Sequence, residues 1–534
     1  MYLDNGIYLG LADGARVTMA LNMANRHGLI AGASGTGKTV TMKVLAESFS
    51  DAGVPVFLCD IKGDVSGLAE PGEQNEGMEK RIDKFGLRGA FEYKSYPVTF
   101  WDVYQEQGHP VRATVSDMGP ELLSRILGLS PAQEGVLNIL FRVADDNGLL
   151  LIDMKDLKAM LEYVGEHRQE LLKGYGNISS QSLGAIVRSL LPLENQGGDL
   201  FFGEPDLDIF DLIRTDESGR GVINLMDCVA LARSPKLYAT FLLWLMGELF
   251  ERLPEAGDLD KPKLVFFFDE AHMLFSDAPR VLVQKIEQMV KLIRSKGVGI
   301  YFVTQNPTDI PDGVLAQLSN RVQHALRAYT PAEQKSVRAA ASAFRPNQAF
   351  KTEDVIMNLG VGHALVSLLD ASGVPGVTQQ AAIVCPQSRM SPCDDATRRR
   401  CIGWDGMEKY DVSVDSDSAY EELERRRADA EFQSKLDAER EAFEKEKAAY
   451  EAQKQKEAAA EEKRRAREEE AEERRRIRAE EAEEKRRQRA EEKKQDAYDR
   501  AVARRKAAIE QQFISTGGQI LRRGLLNTLF GKKK

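Results

Sequence analysis

Residues 32–39, GASGTGKT, constrain what this chain can fold into more than any other stretch. They fit the spacing G-x-x-x-x-G-K-[ST], in which the backbone curls until several N–H groups face one anion. Gly32, Gly35 and Gly37 permit backbone angles that a side chain forbids. The apolar run 28–31 predicts a buried strand before the loop, and Val40, Val44 and Leu45 predict a helix after it. That helix would aim its positive dipole end at the anion. The expected nucleotide cradle is Gly32, Ser34, Gly35, Thr36, Gly37, Lys38, Thr39 and Val40. Lys38 brings a cation to the β- and γ-phosphates of ATP, and the Thr39 hydroxyl is a ligand for Mg²⁺.

Two further strand-end motifs fit the same chemistry. In KLVFFFDEAH, five apolar residues precede Asp269 and Glu270. Asp269 would hold Mg²⁺, and Glu270 would act as general base on the attacking water. A helix start also favours carboxylates, so this pair gains its meaning from the phosphate loop in the same chain. His272 reads as a packing or hydrogen-bonding histidine beside the site. In VGIYFVTQ, the amide of Gln305 stands at a strand tip, where it could meet the γ-phosphate or the water. The strand 54–60 ends in Asp60, with Asp64 close behind. Strand ends of this kind line a ligand crevice, and both carboxylates are equally well explained as turn residues. Arg321 and Arg327, in NRVQHALR, are arginine-finger candidates; a surface arginine on an edge strand is the plainer reading of each.

The chain of 534 residues can bury at least one large core. No signal peptide and no run of 18 or more apolar residues is present, and five scattered cysteines fit free thiols, so a cytoplasmic protein is expected. The net charge is −10, and residues 411–534 hold 32 basic and 31 acidic side chains. A globally basic nucleic-acid surface is thereby excluded, while a local stripe or a pore is not.

Read in order, residues 1–27 form a hairpin or cap, and 28–116 the first part of the ATPase core. Helical periodicity marks an insertion over 117–200, expected as a lid or packing module. The second part of the core covers 201–395, and 396–418 reads as a linker. Residues 419–512 are almost entirely Glu, Arg, Lys, Ala and Gln, with opposite charges three and four apart. A long, charge-stabilised single helix or a coiled coil is expected there, mainly a single helix and coiled near its start. Residues 513–534 carry five basic and no acidic side chains, with Ile520, Leu521, Leu525, Leu526, Leu529 and Phe530 among them, a basic amphipathic tail suited to docking on protein.

GASGTGKT, FFFDEAH and FVTQNP in this order, followed by NRVQHALR, resemble the HerA/FtsK group of P-loop ATPases, and within it the HerA-like bacterial proteins of the YjgR type. The likeness covers roughly residues 1–390, with DIKGD and the helical insertion adding to it. It implies an α/β, RecA-like fold with a mainly parallel sheet, a homo-oligomeric ring (typically a hexamer) and ATP hydrolysis that pulls DNA through the pore. By this match Lys38, Thr39, Asp269, Glu270 and Gln305 inherit the ATPase roles, and Arg321 a finger role. HerA proper carries an N-terminal β-barrel, for which the 27 residues before the phosphate-loop strand are too few. Two functions follow as expectations. One is a motor on double-stranded DNA. The other is a nucleotide-switched assembly protein whose C-terminal helix recruits protein partners.

Overall fold

The computed structural model describes residues 1–257, 259–275, 280–472 and 490–506. The chain divides into two compact units, Met1–Ala428 and Asp429–Lys534.

The first unit is built on a sheet of thirteen strands. In chain order these are β1 (Tyr2–Leu3), β2 (Gly6–Ala12), β3 (Ala15–Ala20), β4 (Gly28–Ala31), β5 (Val56–Asp60), β6 (Val98–Asp102) and β7 (His109–Pro110). They continue as β8 (Ile223–Asp227), β9 (Leu264–Phe268), β10 (Val298–Thr304), β11 (Asn320–Gln323), β12 (His363–Ser367) and β13 (Gln379–Ile383). The order β11-β4-β10-β9-β5-β8-β6-β7 is parallel throughout. Beyond β11, strands β12, β13 and β2 add antiparallel, and both β1 and β3 pair with β2. This is the α/β, mainly parallel, RecA-like arrangement that the motif order implies.

The central strands are continuous apolar runs because both faces are covered. Phe266 and Phe268 point into one core and Val265 and Phe267 into the other. Each of the three phenylalanines is at most 1% exposed, and each such burial contributes about 1.5–3 kcal/mol. The helix Lys38–Asp51 and the N-terminal hairpin pack on the second face. Helices between Val115 and Phe201, together with Pro235–Arg252 and Arg280–Ile293, cover the first. Reciprocal caps at Thr114/Asp117, Ser130/Gln133 and Asp153/Asp156 start three of these helices. Their apolar faces share one core with the sheet rather than closing a core of their own.

Residues 1–27 form the expected hairpin, β2 with β3, and through β2 and β13 it extends the main sheet. Two expectations are corrected. Residues 396–418 are no free linker: Tyr410 is 1% exposed, its ring lies edge-on to Trp101, and its backbone carbonyl accepts from Arg112 at 2.9 Å. Nearby, His109 stands between Asp405 (2.9 Å) and Asp411 (2.7 Å). An aromatic strap with this much apolar surface folds onto the sheet edge instead of staying in water.

The second correction concerns the charged segment. In the second unit, residues 429–472 and 490–506 are helical. Tyr450 stacks on Tyr498 with ring centroids 4.0 Å apart, and Arg505 pairs with Glu446 at 3.0 Å. In one straight helix the two tyrosines would lie about 70 Å apart at about 1.5 Å per residue. The two segments therefore run antiparallel, side by side, and not as a single helix over 419–512. Few bulky side chains exist in this stretch, and pairing stacks Tyr450 on Tyr498 and sets Arg505 over the Phe443 ring. The basic tail 513–534 lies outside the described residues. Among the described residues, no helix is long and apolar enough to cross a membrane.

Candidate active site

Four neighbouring strands, β4-β10-β9-β5, deliver their C-terminal ends to one edge of the sheet. Register sets Thr304 opposite Ala31 and Cys59 opposite Phe268. The phosphate loop, Gln305, Asp269 with Glu270, and the turn 60–65 thus converge, although they span the sequence from Gly32 to Gln305.

The loop is pinned to its flanking strands: Gly32 N donates to Thr304 O at 3.2 Å and Ala33 N to Ala325 O at 2.8 Å. Gly37, with φ 119°, opens the helix Lys38–Asp51. A Cβ at Gly32 would stand 2.5 Å from the His324 Cβ, so the close approach of β11 also demands glycine there. Lys38 is buried and donates to the loop's own carbonyls, Gly32 at 2.6 Å and Ala33 at 3.2 Å. Burial, and the nearby Lys62 cation, lower its pKa. An ammonium folded over an anion-sized cradle suits a phosphate, which supplies stronger acceptors than two carbonyls.

His324 carries no motif, yet it underpins this loop. It is fully buried; Nδ1 donates to the His363 carbonyl at 2.9 Å, and Nε2 accepts from the Thr41 hydroxyl at 2.8 Å. Burial pushes its pKa down to about 4, so the ring is neutral.

Across the crevice, Asp60 accepts three backbone N–H groups: Gly63 at 2.7 Å, Asp64 at 3.2 Å and Val65 at 3.1 Å. Its part is to hold the turn, and burial raises its pKa to about 7. Asp64 faces the loop instead. Its Oδ2 lies 3.5 Å from the Thr39 hydroxyl, while its Oδ1 is buried without a partner. An orphaned carboxylate oxygen beside the Thr39 hydroxyl fits one side of a divalent cation's oxygen shell. Asp269 is 3% exposed, and burial raises its pKa to about 6. Among the described residues no three His, Cys, Asp or Glu side chains form a metal cage by themselves. Mg²⁺ held here would share Thr39, the carboxylates and the nucleotide's own phosphates, as this ion commonly does.

Glu270 has φ 43°, a rare backbone state for a non-glycine residue. Its carboxylate receives Lys62 Nζ at 2.5 Å and Gln305 Nε2 at 3.3 Å to each oxygen, and His272 Nδ1 lies 3.2 Å away. Burial pushes its pKa up, but the hydrogen bond and charge of Lys62, with Gln305 and His272, outweigh burial and hold it below the usual value. The sequence reading overlooked Lys62; its one signal is a lone cation between two carboxylates at a strand end.

Arg321 lies apart from this cluster. It donates to Leu318 O at 2.9 Å, Ala343 O at 2.5 Å and Leu315 O at 3.2 Å. Arg327 also donates to a carbonyl, Met357 O, at 2.5 Å. A finger needs free donors, so the finger role expected of Arg321 finds no support in this geometry; it is a backbone clamp.

Comparison with solved structures gives low identity. The chain is similar to the plasmid coupling protein TrwB in complex with a non-hydrolysable GTP analogue, at 14% identity over 72% of this chain and 90% of that one, TM-score 0.48. It is also similar to VirB4 of Thermoanaerobacter pseudethanolicus, at 15% identity over 72% and 97%, TM-score 0.45. Comparison with curated proteins finds no match. The family model described as "Helicase HerA-like C-terminal" matches residues 10–534, which takes in every strand end that meets at this crevice. The chain therefore belongs to the HerA-like helicase family, on the C-terminal, P-loop side of that group.

Proposed function

We propose that this protein is a Mg²⁺-dependent ATPase that assembles as a homo-oligomeric ring, typically a hexamer, and acts as a motor on double-stranded DNA. The observation that carries the reading is the convergence of Lys38, Thr39, Asp64, Asp269, Glu270 and Gln305 at four adjacent strand ends. Lys38 exchanges its carbonyl partners for the β- and γ-phosphates. Thr39, Asp64 and Asp269 would hold Mg²⁺, which would supply neutralisation of developing phosphate charge. Glu270 takes a proton from the attacking water as the bond between the γ-phosphorus and the bridging oxygen breaks and its electron pair leaves with ADP. Gln305 orients that water and reports its loss to β10. His324 keeps the loop's shape without adding charge.

The family description supports action on nucleic acid. The acidic body confines DNA contact to a local surface or pore. A second reading draws on the helical unit: a nucleotide-switched assembly protein whose charged C-terminal helices recruit protein partners. ATPase rate measured with and without double-stranded DNA separates them. Several-fold stimulation that weakens with salt supports the motor, and a flat response at low and moderate salt favours the switch.

A further inference from the structure

The general base is fully engaged. Glu270 meets three donor contacts from two side chains, with His272 Nδ1 3.2 Å away, and the shortest is the 2.5 Å ion pair with Lys62. A carboxylate in that state is a poor acceptor for a water proton, because its lone pairs already hold hydrogens and its basicity is reduced. Catalysis by Glu270 needs at least one of these partners to leave.

Lys62 is the partner built to leave. Its side chain is 40% exposed, against 6% for Glu270, so it keeps room to swing while the glutamate is fixed. It sits on the turn 61–64, whose backbone is held by Asp60 and by Gly63 at φ 74°. The next carboxylate of that turn, Asp64, reaches the Thr39 hydroxyl at the head of the phosphate-loop helix. The turn thus anchors Lys62 at a fixed point beside the cradle, and its charge is felt by Lys38. A γ-phosphate bound between two ammonium groups offers Lys62 a doubly charged acceptor in place of a single carboxylate.

We propose that Lys62 is a γ-phosphate-operated switch on the catalytic base: it neutralises Glu270 when no γ-phosphate is present and transfers to the phosphate oxygens when ATP binds, which frees the carboxylate for the water. The inference rests on Glu270 being the base, and it makes Lys62 a positioning residue of the reaction. ADP lacks the second acceptor, so it leaves the ion pair closed. The closed pair keeps the site idle between turnovers.

The test is a binding cycle on the full-length protein, with Mg²⁺·ADP and Mg²⁺ with a non-hydrolysable ATP analogue as probes, measured by titration calorimetry. Lys62→Ala should weaken analogue binding at least ~3-fold and leave ADP binding unchanged, the size expected for one partly exposed charge pair. Glu270→Gln should tighten analogue binding by a similar factor, since Lys62 no longer has to be pulled away. That gain should vanish when Glu270→Gln is made in the Lys62→Ala background, and Lys62→Arg should recover the preference for the analogue over ADP. Equal weakening of both nucleotides by Lys62→Ala, or a Glu270→Gln gain that is the same with and without Lys62, would overturn the switch. Failure of the base assignment appears elsewhere, as wild-type turnover in Glu270→Gln, so the two readings fail separately.

Discussion

At the scale of single residues, the site assigns distinct work to charges that look alike in the sequence. Lys38→Ala removes the only ammonium inside the phosphate loop itself and should cost both nucleotide affinity and hydrolysis. Glu270→Gln keeps the shape and the Gln305 contact but not the basicity. Its turnover should fall by about 10²–10⁴-fold with nucleotide binding retained, as read by a coupled phosphate-release assay. Wild-type turnover in that variant would remove Glu270 from the chemistry. Arg321→Ala frees three carbonyls from one guanidinium. It should lower the unfolding free energy read from urea melts by about 1.5–3 kcal/mol, the range for hydrogen bonds from a charged donor. Mixing it with Lys38→Ala subunits should restore no activity. Normal stability with poor hydrolysis that mixing does restore would return the finger role to Arg321.

At the scale of elements, the strap that follows helix Asp395–Ile402 is the clearest case of one segment holding another. His109 has a side chain with no exposure, between Asp405 and Asp411. Burial pushes its pKa down, but hydrogen bonds and charge from the two carboxylates outweigh burial and hold it above the ordinary value. A raised folded pKa gives stability that is full below the unfolded imidazole pKa, about 6.5, and lost as pH rises through the folded value. Unfolding free energy should therefore decline above about pH 6.5, at no more than about 1.4 kcal/mol per pH unit for one proton. His109→Gln should remove that decline. Denaturant melts at a series of pH values check it, and parallel curves for the two proteins would exclude His109 as the source.

At the scale of the whole molecule, the place where the chain is cut decides what is lost. Ala419 and Leu423 are buried in the first unit, and the Ser418 hydroxyl donates to Asp156 at 2.5 Å. Deleting 411–534 removes these contacts and should destabilise the ATPase unit by about 2–5 kcal/mol, the range for loss of a buried leucine's packing. Deleting 429–534 leaves that unit whole and should preserve its melting midpoint and basal hydrolysis. Sedimentation of the shorter deletion shows whether the helical unit also takes part in assembly; loss of the oligomer would assign it that role.

What the sequence alone determined were features encoded within a few adjacent residues. The phosphate loop, the carboxylate pair after Leu264–Phe268 and the amide after Val298–Thr304 are each a short apolar run ending in a chemical group, and backbone sterics make such runs legible one at a time. The helical insertion showed through periodicity in the same way. Tertiary structure alone decided which of these ends become neighbours. Strand order put β10 between β4 and β9, and only then does Gln305 reach Glu270. The same order brought Lys62 to Glu270, His324 to Thr41 and His109 to Asp405, pairs between residues 208, 283 and 296 positions apart. It also turned Arg321 inward to three carbonyls and folded the charged segment back on itself. None of these pairings leaves a local trace, because a side chain's partner across a sheet is set by the path of the intervening chain and not by its sequence neighbours.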